Sequence, residues 1–165
     1  MCPLRGQSLE SRLAAQPRVG RTTGAERVSF DFTSDSGATQ EITTGGWTLL
    51  LYLAEAYSWT KEGTHPPEGV PSGEWEGDYA SNDGQYVSKQ DALALASALE
   101  RFLADPNRAA RVRGVAIQLE NDLVEAMRNL GLEEPPPENH DLYPIDEDHL
   151  KSLLAFWREG GFRIE

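Results

Sequence analysis

The segment from Trp47 to Tyr57 constrains the fold more than any other. Trp47, Leu50, Leu51, Ala54 and Tyr57 recur at helical spacing, and Leu49, Leu53 and Ala56 fill most of the remaining surface. A helix that is apolar nearly all round is stable only when other elements surround it. The chain therefore needs several further elements with one apolar face each. It has 165 residues, of which 39% are hydrophobic. That length suits one domain, and such a domain buries roughly 70% of its unfolded surface without a disulfide or metal staple. Cys2 is the only cysteine, which excludes an internal disulfide and a multi-cysteine metal site. Its solitude suits a reducing, cytoplasmic setting. No apolar run reaches the ~18 residues of a membrane span; Tyr52 and Glu55 interrupt the longest one, around Leu49–Leu51.

Periodicity supplies the surrounding elements. Val28, Phe30 and Phe32 alternate with Ser29 and Asp31, the signature of a half-buried strand. Ser34–Gly37 reads as a turn, and Thr39–Thr43 as a second strand. The central helix is expected over Trp47–Ser58. Asp83-Gly84 reads as a tight hairpin turn, with Tyr79 before it and Tyr86 and Val87 after it. Ser88 opens a helix over Lys89–Ala104, with Asp91 at the acidic position of a relaxed capping box. Asp105 is read as the cap of a third helix over Pro106–Leu130, with Pro106 at its first position and Gly131 as its stop. Val112, Val115, Ala116, Leu119, Leu123, Ala126 and Leu130 share one face of it. A fourth helix opens at Asp146, with Ile145 and Leu150 placed as a hydrophobic staple, and spans Glu147–Glu159. Phe162 and Ile164 then alternate around Arg163 and are expected to return as a strand beside Val28–Phe32. The expected class is α+β and mostly helical, with four main helices and a small antiparallel sheet built from the N-terminal strands and the C-terminal tail.

Residues 1–27 show no sustained periodicity and read as a disordered arm; residues 28–165 form the single globular domain. The arm holds five arginines against Glu10 and Glu26, which leaves 10 basic and 25 acidic residues for the remainder. So negative a domain repels phosphate backbones, which argues against nucleic-acid binding and for basic partners.

Motifs for chemistry are sparse. His140 and His149 lie near Glu138, Asp141, Asp146 and Asp148, without the tight spacing of a zinc site. Asp146 and Asp148 instead suit a helix N-terminus. Asn82-Asp83-Gly84 resembles part of a calcium loop, but Tyr79 and Gln90 would occupy its first and last ligand positions, and neither is a carboxylate. No nucleophile elbow, phosphate loop or dinucleotide fingerprint is present. No metal and no cofactor are expected. Arg108, Arg111 and Arg113 read as ion-pair partners within the domain.

The long segment from Trp59 to Tyr86 is the candidate site. Trp59, His65, Trp75, Tyr79 and Tyr86 bracket a loop carrying Glu62, Glu68, Glu74, Glu76, Asp78 and Asp83, with Lys61 as its only lysine or arginine. Loops this long are often functional, and Trp and Tyr supply large contact area at low entropic cost. Trp59, His65, Glu74, Trp75, Asp78, Tyr79, Asn82, Asp83 and Gln85 are the candidate partner- or ligand-binding residues. The bland alternative is that the rings pin an irregular loop to the helices.

Gly46-Trp47 through Trp59, Trp75-Glu76-Gly77-Asp78-Tyr79, Asn82-Asp83-Gly84-Gln85 and Arg158-Glu159-Gly160-Gly161-Phe162 together resemble the motifs of a group of small bacterial proteins of unknown function. The resemblance spans about residues 29–165. It implies no activity; similar proteins begin near Val28, which implies that position as an alternative start. The residues themselves suggest a non-enzymatic acidic module that docks a basic protein, as immunity or antidote-type proteins do. The alternative is a small-ligand binder or an enzyme of unfamiliar type, with a pocket beneath the 60–85 loop walled by Trp75, Tyr79, Asn82, Asp83 and Gln85.

Overall fold

The computed structural model describes residues 29–133 and 146–165. The arm 1–27, Cys2, Val28, the prolines at 135–137, Glu138, His140, Asp141 and the Ile145 staple lie outside the described residues. In chain order the elements are β1 (Ser29–Ser34), β2 (Thr39–Thr43), α1 (Thr44–Ala56), a 3-10 turn (Ser72–Glu74), β3 (Gln85–Val87), α2 (Lys89–Ala104), α3 (Arg108–Asn129), α4 (Glu147–Glu159) and β4 (Phe162–Ile164). The four helices and the antiparallel sheet give the α+β, mostly helical architecture read from the sequence.

The sheet order is β2-β1-β4-β3, antiparallel throughout. β4 sits beside β1 as expected, with Phe32 opposite Ile164. β3 was not expected as its neighbour. Asp83-Gly84 does make a turn, and Gly84 has φ +85, but no strand precedes it. Gln85–Val87 pairs instead with β4, from the far end of the chain. The Gly160-Gly161 pair permits this. A side chain at Gly161 would place its Cβ 2.8 Å from the Val87 carbonyl oxygen, so only glycine lets the two strands close.

Phe30, Phe32, Phe162, Ile164 and Val87 point from the sheet into the core. Trp47, Leu49, Leu50, Leu51, Leu53 and Ala54 of α1 are buried there, which makes it the central helix. It starts earlier than its apolar period implied. Thr43 caps it, accepting the Gly46 N–H at 3.2 Å, so the two glycines form its first turn. Phe32 meets Trp47 edge-on, with centroids 4.8 Å apart, and Trp47 meets Trp157 of α4 at 6.2 Å.

α2 and α4 keep the bounds their caps dictate. Ser88 accepts the Asp91 N–H, and Asp146 accepts those of Asp148 and His149. α3 begins at Arg108 rather than at Pro106, because Pro106 and Asn107 form a turn ahead of the helix proper, capped as expected by Asp105. Its carboxylate takes the Asn107 N–H at 2.7 Å and the Tyr57 hydroxyl at 2.5 Å. Partial burial and that carboxylate push the Tyr57 hydroxyl up to about 12. Arg108 pairs with Glu147 at 3.0 Å, tying α3 to α4 as an internal ion pair. The apolar face of α3 is covered only over its first half: Val112, Val115 and Ala116 are buried, whereas Leu123 and Leu130 are exposed.

Candidate functional site

The loop between α1 and β3 is organised by one carboxylate. Asp91 stands in the first turn of α2, where its backbone N–H completes the Ser88 cap. Its side chain turns inward and is fully buried. One oxygen accepts the Trp59 indole N–H at 2.7 Å, and the other accepts the Tyr79 hydroxyl at 2.5 Å. Tyr79 accepts the Gly63 N–H in turn, at 2.9 Å. The two rings meet edge-on at 5.3 Å. Trp47 donates its indole N–H to the Tyr79 carbonyl at 2.7 Å, which fastens the same residue to the central helix. Desolvation raises Asp91 above the usual aspartate range, although both hydrogen bonds pull the other way. Burial, with Asp91 alongside, pushes the Tyr79 hydroxyl well up. Every atom of this network is consumed internally.

The other inward residues hold the loop to itself. Buried Gln85 donates to the Ser81 carbonyl at 2.5 Å and accepts the Asp83 N–H at 2.9 Å. Trp75 is half-buried and donates its N–H to the Thr64 carbonyl at 3.0 Å and the Thr64 hydroxyl at 2.9 Å. Trp75→Ala is therefore expected to destabilise by roughly 2 kcal/mol, between a core aromatic truncation and loss of a hydrogen bond. Urea titration measures it. A value near zero would mean that the ring does not anchor the loop.

The candidate residues divide cleanly. Trp59, Tyr79 and Gln85 are buried and Trp75 is half-buried, while His65, Glu74, Asp78, Asn82 and Asp83 are exposed. Glu62, Glu68 and Glu76 are exposed as well, so all six loop carboxylates face outward. Lys61 is held by Glu55 at 2.7 Å. Asp78 accepts the Ala80 N–H and shapes a local turn. His65 bonds to Tyr86 through both backbone groups, so the loop continues the sheet at its β3 side.

Sequence reading missed a second acidic surface. Glu41 lies opposite Asp31, and Asp31 exchanges backbone hydrogen bonds with Glu165. Three carboxylates thus form one cross-strand row on the solvent side of the sheet. Like charges placed directly opposite each other destabilise a sheet. The row lines an open cleft with Thr33, Thr39, Gln40 and His149. The outward positions of the period-two pattern at Asp31 and Glu41 were legible, but their neighbour Glu165 was not.

A cavity of about 10 Å³ lies in the core between Leu50, Leu95, Leu99 and Trp157, away from the loop. No helix among the described residues is long and apolar enough to cross a membrane. No family model, curated protein or solved structure matches the chain.

Proposed function

We propose that this chain is a non-enzymatic acidic interaction module that docks a basic protein partner in the cytoplasm, in the manner of immunity or antidote-type proteins. The observation that carries this reading is the division within the loop: its rings are spent on Asp91 and Thr64, and all six of its carboxylates face outward. Of the walls expected for a pocket beneath the loop, Trp75, Tyr79 and Gln85 spend their polar atoms on Thr64, Asp91 and Ser81, and Asn82 and Asp83 are exposed, which favours docking over ligand capture. Exposed charges matter little to stability, but they steer a partner of opposite sign.

Glu74 and Asp83 are the positions to reverse, because Asp78 also shapes a turn. Glu74→Lys with Asp83→Lys is expected to leave thermal unfolding within about 0.5 kcal/mol. The same pair should weaken capture of the partner from host lysate at low salt by tenfold or more. Capture that is indifferent to both reversals, or that does not weaken as salt rises, would sink the reading.

A further inference from the structure

The two edges of the sheet are finished differently. At the β3 edge His65 exchanges both backbone bonds with Tyr86, so the loop closes that side. At the other edge β2 is the last strand, and its register shows which of its backbone groups are spent. Residues facing each other in an antiparallel pair alternate between hydrogen-bonded and non-hydrogen-bonded partners. Asp31 exchanges its backbone bonds with Glu165, on the β4 side, and the Ser34 N–H bonds the Ala38 carbonyl across the hairpin. Both bonds fix the same phase. Phe30 and Phe32 bond Ile42 and Gln40, whereas Asp31 and Thr33 face Glu41 and Thr39 without bonding them. The N–H and C=O groups of Thr39 and Glu41 thus point away from β1. Both residues are exposed, and no described residue takes these groups up. An open strand edge is a template for pairing with another chain.

The side chains along the edge select its occupant. Glu41 and, one strand further in, Asp31 stand exposed on the solvent face. Neither forms an ion pair with a described residue. Arg163 is the only lysine or arginine in the four strands. It reaches the other way, to the Gly84 carbonyl and over the Tyr86 ring. The open cleft lined by the carboxylate row includes Thr39, Gln40 and Glu41 of β2, so the strand is reachable from solvent. A second copy of this chain would lay β2 against β2 and bring Glu41 close to its own counterpart, and charge on an edge strand discourages such pairing. A strand with lysine or arginine on its solvent face meets Glu41 directly across and Asp31 beyond it, and opposite charges across strands attract.

We propose that the free edge of β2 receives an extended basic segment of the partner protein as an added antiparallel strand, with its cationic side chains on the solvent face. The proposal rests on the reading that the partner is basic, and it adds a second contact surface apart from the acidic loop.

The probe is a dye-labelled synthetic peptide of about ten residues in which lysine alternates with threonine. A lysine placed across from Glu41 turns its own N–H toward β2, and the threonines turn theirs away. N-methylation of the lysines removes the donors that the edge needs; N-methylation of the threonines removes only outward ones and keeps the same charge. Fluorescence anisotropy with the full chain at low salt is expected to show at least tenfold tighter binding of the threonine-methylated peptide. Glu41→Lys should weaken that peptide tenfold or more without lowering the unfolding midpoint, because it also relieves repulsion with Asp31. Equal binding of the two methylated peptides, or binding of neither, overturns the proposal. Equal binding lost in Glu74→Lys with Asp83→Lys refutes the edge and leaves the basic-partner reading standing. Thr39 and Glu41 amides that exchange slowly in the free monomer would assign the edge to another segment of the chain. A sedimenting dimer that Glu41→Pro dissolves would assign it to a second copy. Either result overturns the proposal.

Discussion

Asp91→Ala is expected to destabilise the fold by roughly 3–5 kcal/mol, the cost of deleting the one acceptor group that two buried donors share. It would leave the Trp59 N–H and the Tyr79 hydroxyl without an acceptor inside the core. Each orphaned buried donor costs about 1–3 kcal/mol. Native domains hold only about 5–15 kcal/mol in total, so this variant should unfold at markedly lower urea. Asp91→Asn separates hydrogen bonding from charge. Its carbonyl can accept from Trp59, and its amide can donate to the Tyr79 hydroxyl, which both donates and accepts. The expected cost is below about 1.5 kcal/mol, one ordinary hydrogen bond.

The same pair of proteins tests the electrostatics. Asp91 is raised above 3.8 in the folded chain, first by desolvation. A carboxyl with a raised folded-state pKa takes up its proton on the native chain before the unfolded one does. Its burial penalty is therefore present above that raised value and lifts as pH falls through it toward 3.8. Native stability relative to Asp91→Asn should rise over that descent. A relative loss would mean that the two hydrogen bonds outweigh desolvation and hold Asp91 low.

Trp47→Ala is the second large effect, also roughly 3–5 kcal/mol. The ring is buried between Phe32 of the sheet and Trp157 of α4, and its N–H holds the Tyr79 carbonyl. One truncation thus opens a cavity and loosens the loop. Trp47→Phe keeps most of the ring and deletes the donor, so it should cost about 1–3 kcal/mol by stranding the carbonyl. Hydrogen exchange in residues 60–85 should quicken in Trp47→Phe while α2 stays protected. Equal loss of protection in both would place the Trp47 contribution in the core alone.

The elements legible from sequence were those fixed by local chemistry. Ser88 and Asp146 cap α2 and α4 with their own side chains, so those helix bounds follow from residues a few positions apart. The alternation of Phe30 and Phe32 likewise decides which side of β1 is buried. Local rules failed wherever two of them competed. Thr43 could end a strand or cap a helix, and in the fold it does both. Asp105 likewise serves twice: one oxygen caps the turn that leads into α3 by taking the Asn107 N–H, and the other accepts the Tyr57 hydroxyl.

In the loop, sequence alone determined that aromatic rings and carboxylates would alternate, and that the region would be strongly acidic. Which groups turn inward was decided by tertiary structure. Trp59 and Tyr79 are buried because Asp91, which lies 32 and 12 positions away along the chain, offers two acceptors in a dry site. As a sequence letter Asp91 is an ordinary capping-box acid. Its buried role depends on non-local geometry that no periodicity encodes. The pairing of Gln85–Val87 with Phe162–Ile164 has the same origin, since strand partners are set by sheet assembly and by clearance at Gly161. The face of α3 was likewise written in the sequence from Val112 to Leu130. That neighbouring helices bury only its first half is a matter of how far they reach along it.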